Sequence, residues 1–402
     1  MIVQRRLVLV GAGHAHAQVL LDLIRQPLTG VEVVLVSPYT LAPYSGRVPA
    51  WLAGDHAWRD CCVDFNNLCE RAGVRLVIGE VTAIDPAHHR LQLAPGVCLD
   101  YGWLSLNIGS TLTPPGSAAT HGVQVVPMRP LTALQERWEA VLERVGQMQH
   151  PTPSASPIDA ALAVVVVGGG AAGIESVLAA HHRLTTLAPQ VRFTFTLATQ
   201  GATLTTGLAP AAGTALMRHL KARGIAVHTG FAAQGFAQGA VVDAGGNSLA
   251  ADVVLWATGA QAFAWTGAGG LATDARGFVR IDAGLRSVSH PNVFASGDCA
   301  SWDDALHDPL PKAGVYAVRM GPVLSANLRA AVGATVGADT SDDYAPQRRY
   351  LVLIGTGDHH AVASWGRFSW QGDWVYRWKQ RIDQRFLNRF MASASGQSLH
   401  QT

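Results

Sequence analysis

Charge is scarce in this 402-residue chain: Asp, Glu, Lys and Arg make up only 14% of it. The 30 basic and 28 acidic residues leave a net charge of +2, so no nucleic-acid surface is advertised. Cysteine is scarce too. Cys61, Cys62, Cys69, Cys98 and Cys299 form no C-x-x-C pair, and the expectation is buried thiols in a reducing cytoplasm. Long apolar runs are missing. The longest, Ala160 to Val167, has strand length and stops at glycines, so no membrane-spanning helix is expected. No signal peptide is expected either, because Arg5 and Arg6 lead into a short apolar strand that ends in a glycine turn. His14 and His16 do not share a helix face and have no Cys or Asp to complete a ligand set, so no metal is expected.

Glycine is abundant, with 42 residues. Leu7 to Val10 reads as a buried parallel strand, Gly11 and Gly13 as a tight turn, and His14 to about Leu23 as a helix whose N-terminus faces a phosphate. This is a dinucleotide fingerprint with His16 in place of the third glycine. A second fingerprint follows Ala161 to Val167, with Gly168, Gly170 and Gly173 filling all three positions. The two halves echo each other further on: Val31 to Val36 and Arg192 to Leu197 read as the next strands. Later strands end in Ile108-Gly109 and in Ala257-Thr258-Gly259. The expected fold is α/β, with two Rossmann-like dinucleotide-binding domains, the second inserted in the first, and a small C-terminal region. Expected boundaries are 1–125 with 262–345, 126–261 with a linker at 146–157, and 346–402.

Two such modules imply two dinucleotides held face to face, a flavin and a nicotinamide, with hydride passing between them. Ser37 stands where a ribose-binding Asp or Glu is usual, and Ala198-Thr199-Gln200 offers neither the acid of an NAD site nor the arginine of an NADP site. The donor is therefore NAD(P)H with the choice open.

The chain resembles the pyridine nucleotide-disulfide oxidoreductase superfamily over nearly its whole length. Besides the two fingerprints, His290-Pro291-Asn292-Val293-Phe294-Ala295-Ser296-Gly297-Asp298 matches that family's late Gly-Asp motif. The disulfide branch is excluded, because the Pro43 to Pro49 loop carries no cysteine. The nearer resemblance is to type II NADH:quinone dehydrogenases, to sulfide:quinone oxidoreductases, and to a group associated with selenide water dikinase. The last is matched at Gly13-His14-Ala15-His16, at Pro43-Tyr44-Ser45-Gly46 and at Leu310 to Arg319, with departures at Arg47 and Ala50.

The resemblance implies FAD in the first module, NAD(P)H in the second and a quinone-like acceptor. It implies FAD contacts at Gly11, Gly13, His14, Ser37, Pro43, Ser45, Gly109, Gly297, Asp298, Lys312 and Ala313. Gly168, Gly170, Gly173 and Gly259 would hold the nicotinamide nucleotide. Tyr44 is expected beside the flavin ring, Lys312 near its pyrimidine edge and Glu175 near the nicotinamide. Cys299 is expected to be a spectator thiol. The alternatives are a flavoprotein acting on sulfur or selenium compounds and a non-enzymatic FAD-binding interaction subunit.

Near the end, 374–390 reads as an amphipathic helix with Trp374, Trp378, Ile382, Phe386 and Phe390 in one apolar stripe and basic residues beside it. The expectation is a monotopic contact with the inner face of the cell membrane. Docking on the flavin domain or in a homodimer has the same periodicity.

Overall fold

Valine and leucine run unbroken through the strands at the centre of the molecule, as strands buried on both faces require. The computed structural model describes residues 5–117, 119–148, 161–204, 207–302, 310–333, 342–347 and 349–391. Two five-stranded parallel sheets form the frame. The first runs, in spatial order, Val293–Ala295, Trp103–Leu106, Arg6–Val10, Glu32–Ser37 and Arg75–Ile78. The second runs Gln124–Pro127, Val253–Trp256, Ala161–Val167, Arg192–Ala198 and Ala226–His228. In each sheet the strand that leads into a glycine turn is central. Each half also carries a three-stranded antiparallel excursion: Val81–Asp85, Arg90–Leu93 and Val97–Asp100 in the first, Ala233–Ala237, Ala240–Asp243 and Ser248–Ala250 in the second. The architecture is thus the α/β pair of Rossmann-like units. The expected boundary between 125 and 126 falls inside the strand Gln124–Pro127. Of the expected linker, 146–148 ends the helix Leu134–Met148, and the rest lies outside the described residues.

Helices His14–Arg25 and Gly314–Gly333 pack on each other beside the first sheet. Gly321 sets their distance, because a Cβ there would stand 2.8 Å from Gln18 Cβ.

The C-terminal region is an antiparallel sheet of Val352–Gly355, Ala361–Trp365 and Phe368–Gly372, followed by the helix Asp373–Asn388. Ile354 and Val362 join the core of the second sheet, while Phe386, Leu387 and Phe390 join that of the first. The expected apolar stripe is split. Trp374 is 47% and Ile382 38% exposed, and the buried face is Val375, Lys379, Asp383, Phe386 and Leu387. Residues four apart drift by about 40° per step around a helix, so one stripe starts in solvent and ends in the core. Lys379 and Asp383 face inward because they pair with each other across one turn, Nζ to Oδ2 at 2.9 Å.

This placement separates two aromatic residues that the sequence puts in one stripe. Phe386→Ala should cost about 3 kcal/mol in urea unfolding, and Trp374→Ala no more than about 0.5. Equal losses would mean that the helix is not seated by its Phe386 end.

Candidate functional site

A cavity of about 290 Å³ opens at the C-terminal ends of the first sheet, where ligands bind in open parallel sheets. Gly11, Gly13, His14, Ser37, Pro43, Ser45, Gly109 and Asp298 all line it. The turn that brings the first of these together depends on close approach. Gly11 has φ +95°, and a Cβ there would stand 2.5 Å from the Asn107 carbonyl oxygen. Substituting Gly11 would therefore push the turn off the neighbouring strand before it touched any ligand. Gly109, at φ +71°, has nothing within 4 Å of where its Cβ would be, so its backbone faces open space.

His16 fills its position without opening the turn. Its ring is fully buried, and burial pushes its pKa down to about 4, so the imidazole is neutral. Nδ1 donates to the Gly11 carbonyl at 2.7 Å and Nε2 accepts from the Ser105 hydroxyl at 2.8 Å. At the equivalent place in the second turn, a Cβ on Gly173 would stand 1.8 Å from the Gly168 carbonyl oxygen. There glycine supplies by absence what the His16 ring supplies by hydrogen bonding. His14, on the cavity wall, is held neutral in the same way, its pKa pushed down to about 4 by burial.

Several expected residues stand elsewhere. Tyr44 does not line the cavity. It lies one layer behind, with its ring stacked on Phe386 at 4.2 Å and 5.5 Å from the His14 ring. Burial, then the Asp383 carboxylate, holds its phenol well above the usual tyrosine range. Ser37 lines the cavity, but its hydroxyl closes a turn, donating to the Tyr39 carbonyl at 2.7 Å and accepting from its N–H. Lys312 points into the protein. Its ammonium donates to the Ala300 carbonyl and sits 3.8 Å over the Phe278 ring, and burial brings its pKa down to about 8. The Ala313 N–H is taken by the Pro311 carbonyl, and Gly314 rather than Ala313 reaches the cavity wall. Gly297, at φ +69°, lies behind Asp298 against Asn107 and Ala317.

The cation beside the cavity is Arg129, which the motifs did not single out. It follows the strand Gln124–Pro127 of the second sheet, and its guanidinium donates to the Asp298 carboxylate, to the Ser110 hydroxyl and, at 3.2 Å, to the Lys312 carbonyl. Asn107 and Glu80 also line the cavity unannounced. Glu80 sits just past the strand Arg75–Ile78, near the empty acidic position that Ser37 occupies. Only the run Asn107-Ile108-Gly109 carried a signal, and it pointed at the glycine.

In the second module Gly168 has φ +136°, with the Ala257 carbonyl 2.4 Å from its would-be Cβ. Gly170 and Gly259 face open space. These glycines do not line the first cavity. Glu175, on the helix Ala171–Leu187, accepts from the Gly355 N–H at 2.8 Å, and burial raises its pKa to about 7 against the opposing pull of Lys379. Cys299 is buried with its thiol donating to the Ser296 carbonyl at 3.2 Å, and burial pushes its pKa up. No thiol among the described residues lines the cavity. No group of three metal-ligating side chains is found among them either.

Known proteins share this architecture. A family model described as pyridine nucleotide-disulphide oxidoreductase matches residues 5–321. An NADH dehydrogenase-like protein of Mycobacterium tuberculosis is 29% identical over 307 residues, 74% of this chain and 73% of that one. Among solved structures, the NDH2 of Plasmodium falciparum in complex with NADH superposes with a TM-score of 0.78 at 14% identity, over 96% of this chain and 97% of that one. The sulfide:quinone oxidoreductase of Aquifex aeolicus does so with a TM-score of 0.74 at 16% identity, over 96% and 91%. At such identities these two likenesses show the fold. The family match is of another kind, since it runs through both glycine turns and the Gly297-Asp298 motif: the chain belongs to the pyridine nucleotide-disulphide oxidoreductase family.

Proposed function

We propose that this chain is an FAD-dependent NAD(P)H dehydrogenase that passes the electrons on to a quinone-type acceptor. The observation that carries the reading is the glycine-walled cavity at the first turn, set against a second glycine turn that is open at Gly170 and Gly259. The residues fit FAD: Gly11, Gly13 and the start of the helix His14–Arg25 would take the pyrophosphate, Asp298 the ribityl hydroxyls, and Pro43 and Ser45 the ring end. When bound, FAD supplies the ring that accepts a hydride and releases electrons. Glu80 is better placed than Ser37 for the adenosine ribose, because the Ser37 hydroxyl is engaged within its own turn. Arg129 would add positive potential from the second module, the role first expected of Lys312. Glu175 would hold a proton near neutral pH beside the nicotinamide.

A quinone acceptor is supported by the outer surface of the C-terminal region. Trp365, Phe368 and Trp370 on the hairpin and Trp374 and Ile382 on the helix are exposed, with Arg367, Arg377 and Arg381 among them. Exposed tryptophans with basic neighbours suit the headgroup layer of an anionic membrane. No helix among the described residues is long and apolar enough to cross one. A surface contact on the inner face of the cell membrane would give a lipid-soluble quinone and a water-soluble NAD(P)H separate approaches. Sulfur chemistry through cysteine persulfides is not favoured, given that the cavity wall has no thiol.

The purified chain should be yellow, bleach anaerobically with NADH or NADPH, and recover its colour with a water-soluble quinone. Flavin that stays oxidised with both donors would sink the dehydrogenase reading.

Glu175 has a signature independent of turnover. An acid whose folded pKa is raised costs stability as pH climbs from its ordinary value toward the folded one. Between pH 4.5 and about 7 the wild type should lose on the order of 2–3 kcal/mol that Glu175→Gln retains. Gln keeps an acceptor for the Gly355 N–H. Matching pH slopes in urea midpoints would place Glu175 in contact with water.

The membrane contact is tested without disturbing the core. Wild-type protein should float with anionic liposomes, less so at high salt, and the Trp370→Ser/Trp374→Ser double variant should stay in solution. Equal flotation of both would exclude this surface.

A further inference from the structure

Quinone reduction by NAD(P)H consumes a proton. NAD(P)H, quinone and H⁺ give NAD(P)⁺ and quinol, where the hydride brings two electrons and one proton and the second proton comes from water. An acceptor site walled in by protein needs a path for that second proton. We propose that the buried seam between the C-terminal helix and the loop at Tyr44–Arg47 is this path; the inference rests on the quinone reading above.

The seam holds a chain of polar groups from the surface to the layer behind the cavity wall. At the outer end exposed His359 places Nε2 3.1 Å from Asp55 Oδ1, and the Tyr376 hydroxyl donates to Asp55 Oδ2 at 2.5 Å. Next comes a void of about 10 Å³ walled by Asp55, Tyr376, Lys379 and Gln380. That is about the room one water needs, and the wall offers it polar partners. Beyond the void, Lys379 Nζ donates to Asp383 Oδ2 at 2.9 Å and to the Gly46 carbonyl. The Asp383 carboxylate also faces the Tyr44 phenol. Tyr44 stands between Pro43 and Ser45, which line the cavity. Between solvent and the Tyr44 phenol the chain therefore has one break, of one water, and the Tyr44 ring lies 5.5 Å from that of His14 on the cavity wall.

The energetics argue that the pair is there for more than packing. Lys379 is 6% and Asp383 4% exposed, and a buried ion pair gains little over a well-packed apolar pair of the same volume. The neighbouring groups close in around the pair. Glu175 faces it from the second module, and the Arg47 guanidinium lies alongside, donating to Gln384 at 2.8 Å and to Gln380 at 3.4 Å. In one turnover each link hands a proton inward and receives one from behind, so none changes its charge overall.

Two variants test the path outside the cofactor sites: Tyr376→Phe removes the hydroxyl link, and Ala53→Val fills the void from its wall. In both, anaerobic bleaching by NADH should keep its rate. Reoxidation by a water-soluble quinone should slow on the order of ten-fold or more, slow further in D₂O, and recover with imidazole buffer as a diffusible proton donor. A high-resolution crystal structure of the full chain should show one water bonded to Tyr376 Oη and Lys379 Nζ. Unchanged reoxidation in both variants, or an empty void, overturns the relay. If wild-type protein is not reoxidised by quinone at all, the acceptor reading falls and takes the relay with it. If wild type reoxidises and the variants match it, only the relay falls.

Discussion

One amide side chain holds the candidate site in shape. Asn107, 3% exposed, accepts from the Ala15 N–H at 3.0 Å and the His16 N–H at 3.4 Å through Oδ1, and donates to the Ser296 carbonyl at 2.8 Å through Nδ2. It joins the start of the first helix, the end of the strand Trp103–Leu106 and the turn into Gly297-Asp298. A carboxylate of the same shape would lack the donor, and leucine would strand two helix amides and a carbonyl in the interior. The glycines around it follow from its position. A Cβ on Gly13 would stand 2.0 Å from Asn107 Oδ1, and one on Gly297 2.9 Å from Nδ2.

The frame was legible because its signals are local. A parallel strand buried on both faces is an apolar run, and a glycine turn is a short spacing pattern, so Arg6–Val10, Gly11, Gly13 and the helix after them follow from one stretch of chain. The same holds for Ala161–Val167 and Gly168 to Gly173. Even the irregular His16 was legible as a position. What could not be read was how it is accommodated, since that depends on Ser105, 89 residues away in sequence.

The side-chain directions were not legible, for the same reason in each case. Lys312 sits in a motif that suggests a charge at the cavity, but the Phe278 ring and the Ala300 carbonyl offer its ammonium a better seat on the other side. Arg129 has no motif around it and meets Asp298 only because two sheets come together. In the C-terminal helix, hydrophobicity puts Trp374 and Ile382 in one stripe with Phe386 and Phe390 and leaves Lys379 and Asp383 off it. The structure parts the stripe, with Trp374 and Ile382 exposed and Phe386 and Phe390 buried, and turns Lys379 and Asp383 inward. Periodicity ranks residues one at a time, whereas an inward Lys and Asp neutralise each other only as a pair, and only against the Gly46 carbonyl that the loop supplies.

A chain with 14% charged residues places some of them where its separate parts meet. Arg129 of the second module reaches Asp298 of the first, and Arg223, at the end of the helix Pro210–Ala222, reaches Asp358 in the C-terminal sheet. Lys379 and Asp383 fill the seam between the C-terminal helix and the Tyr44 loop. Such pairs add little net stability, because desolvation offsets most of their attraction. They add direction. An apolar contact tolerates a small slide or rotation, but a guanidinium on a carboxylate does not, and the Arg129–Asp298 pair fixes the wall of the first cavity. The apolar cores hold each module together, and the few buried charges set how the modules face one another.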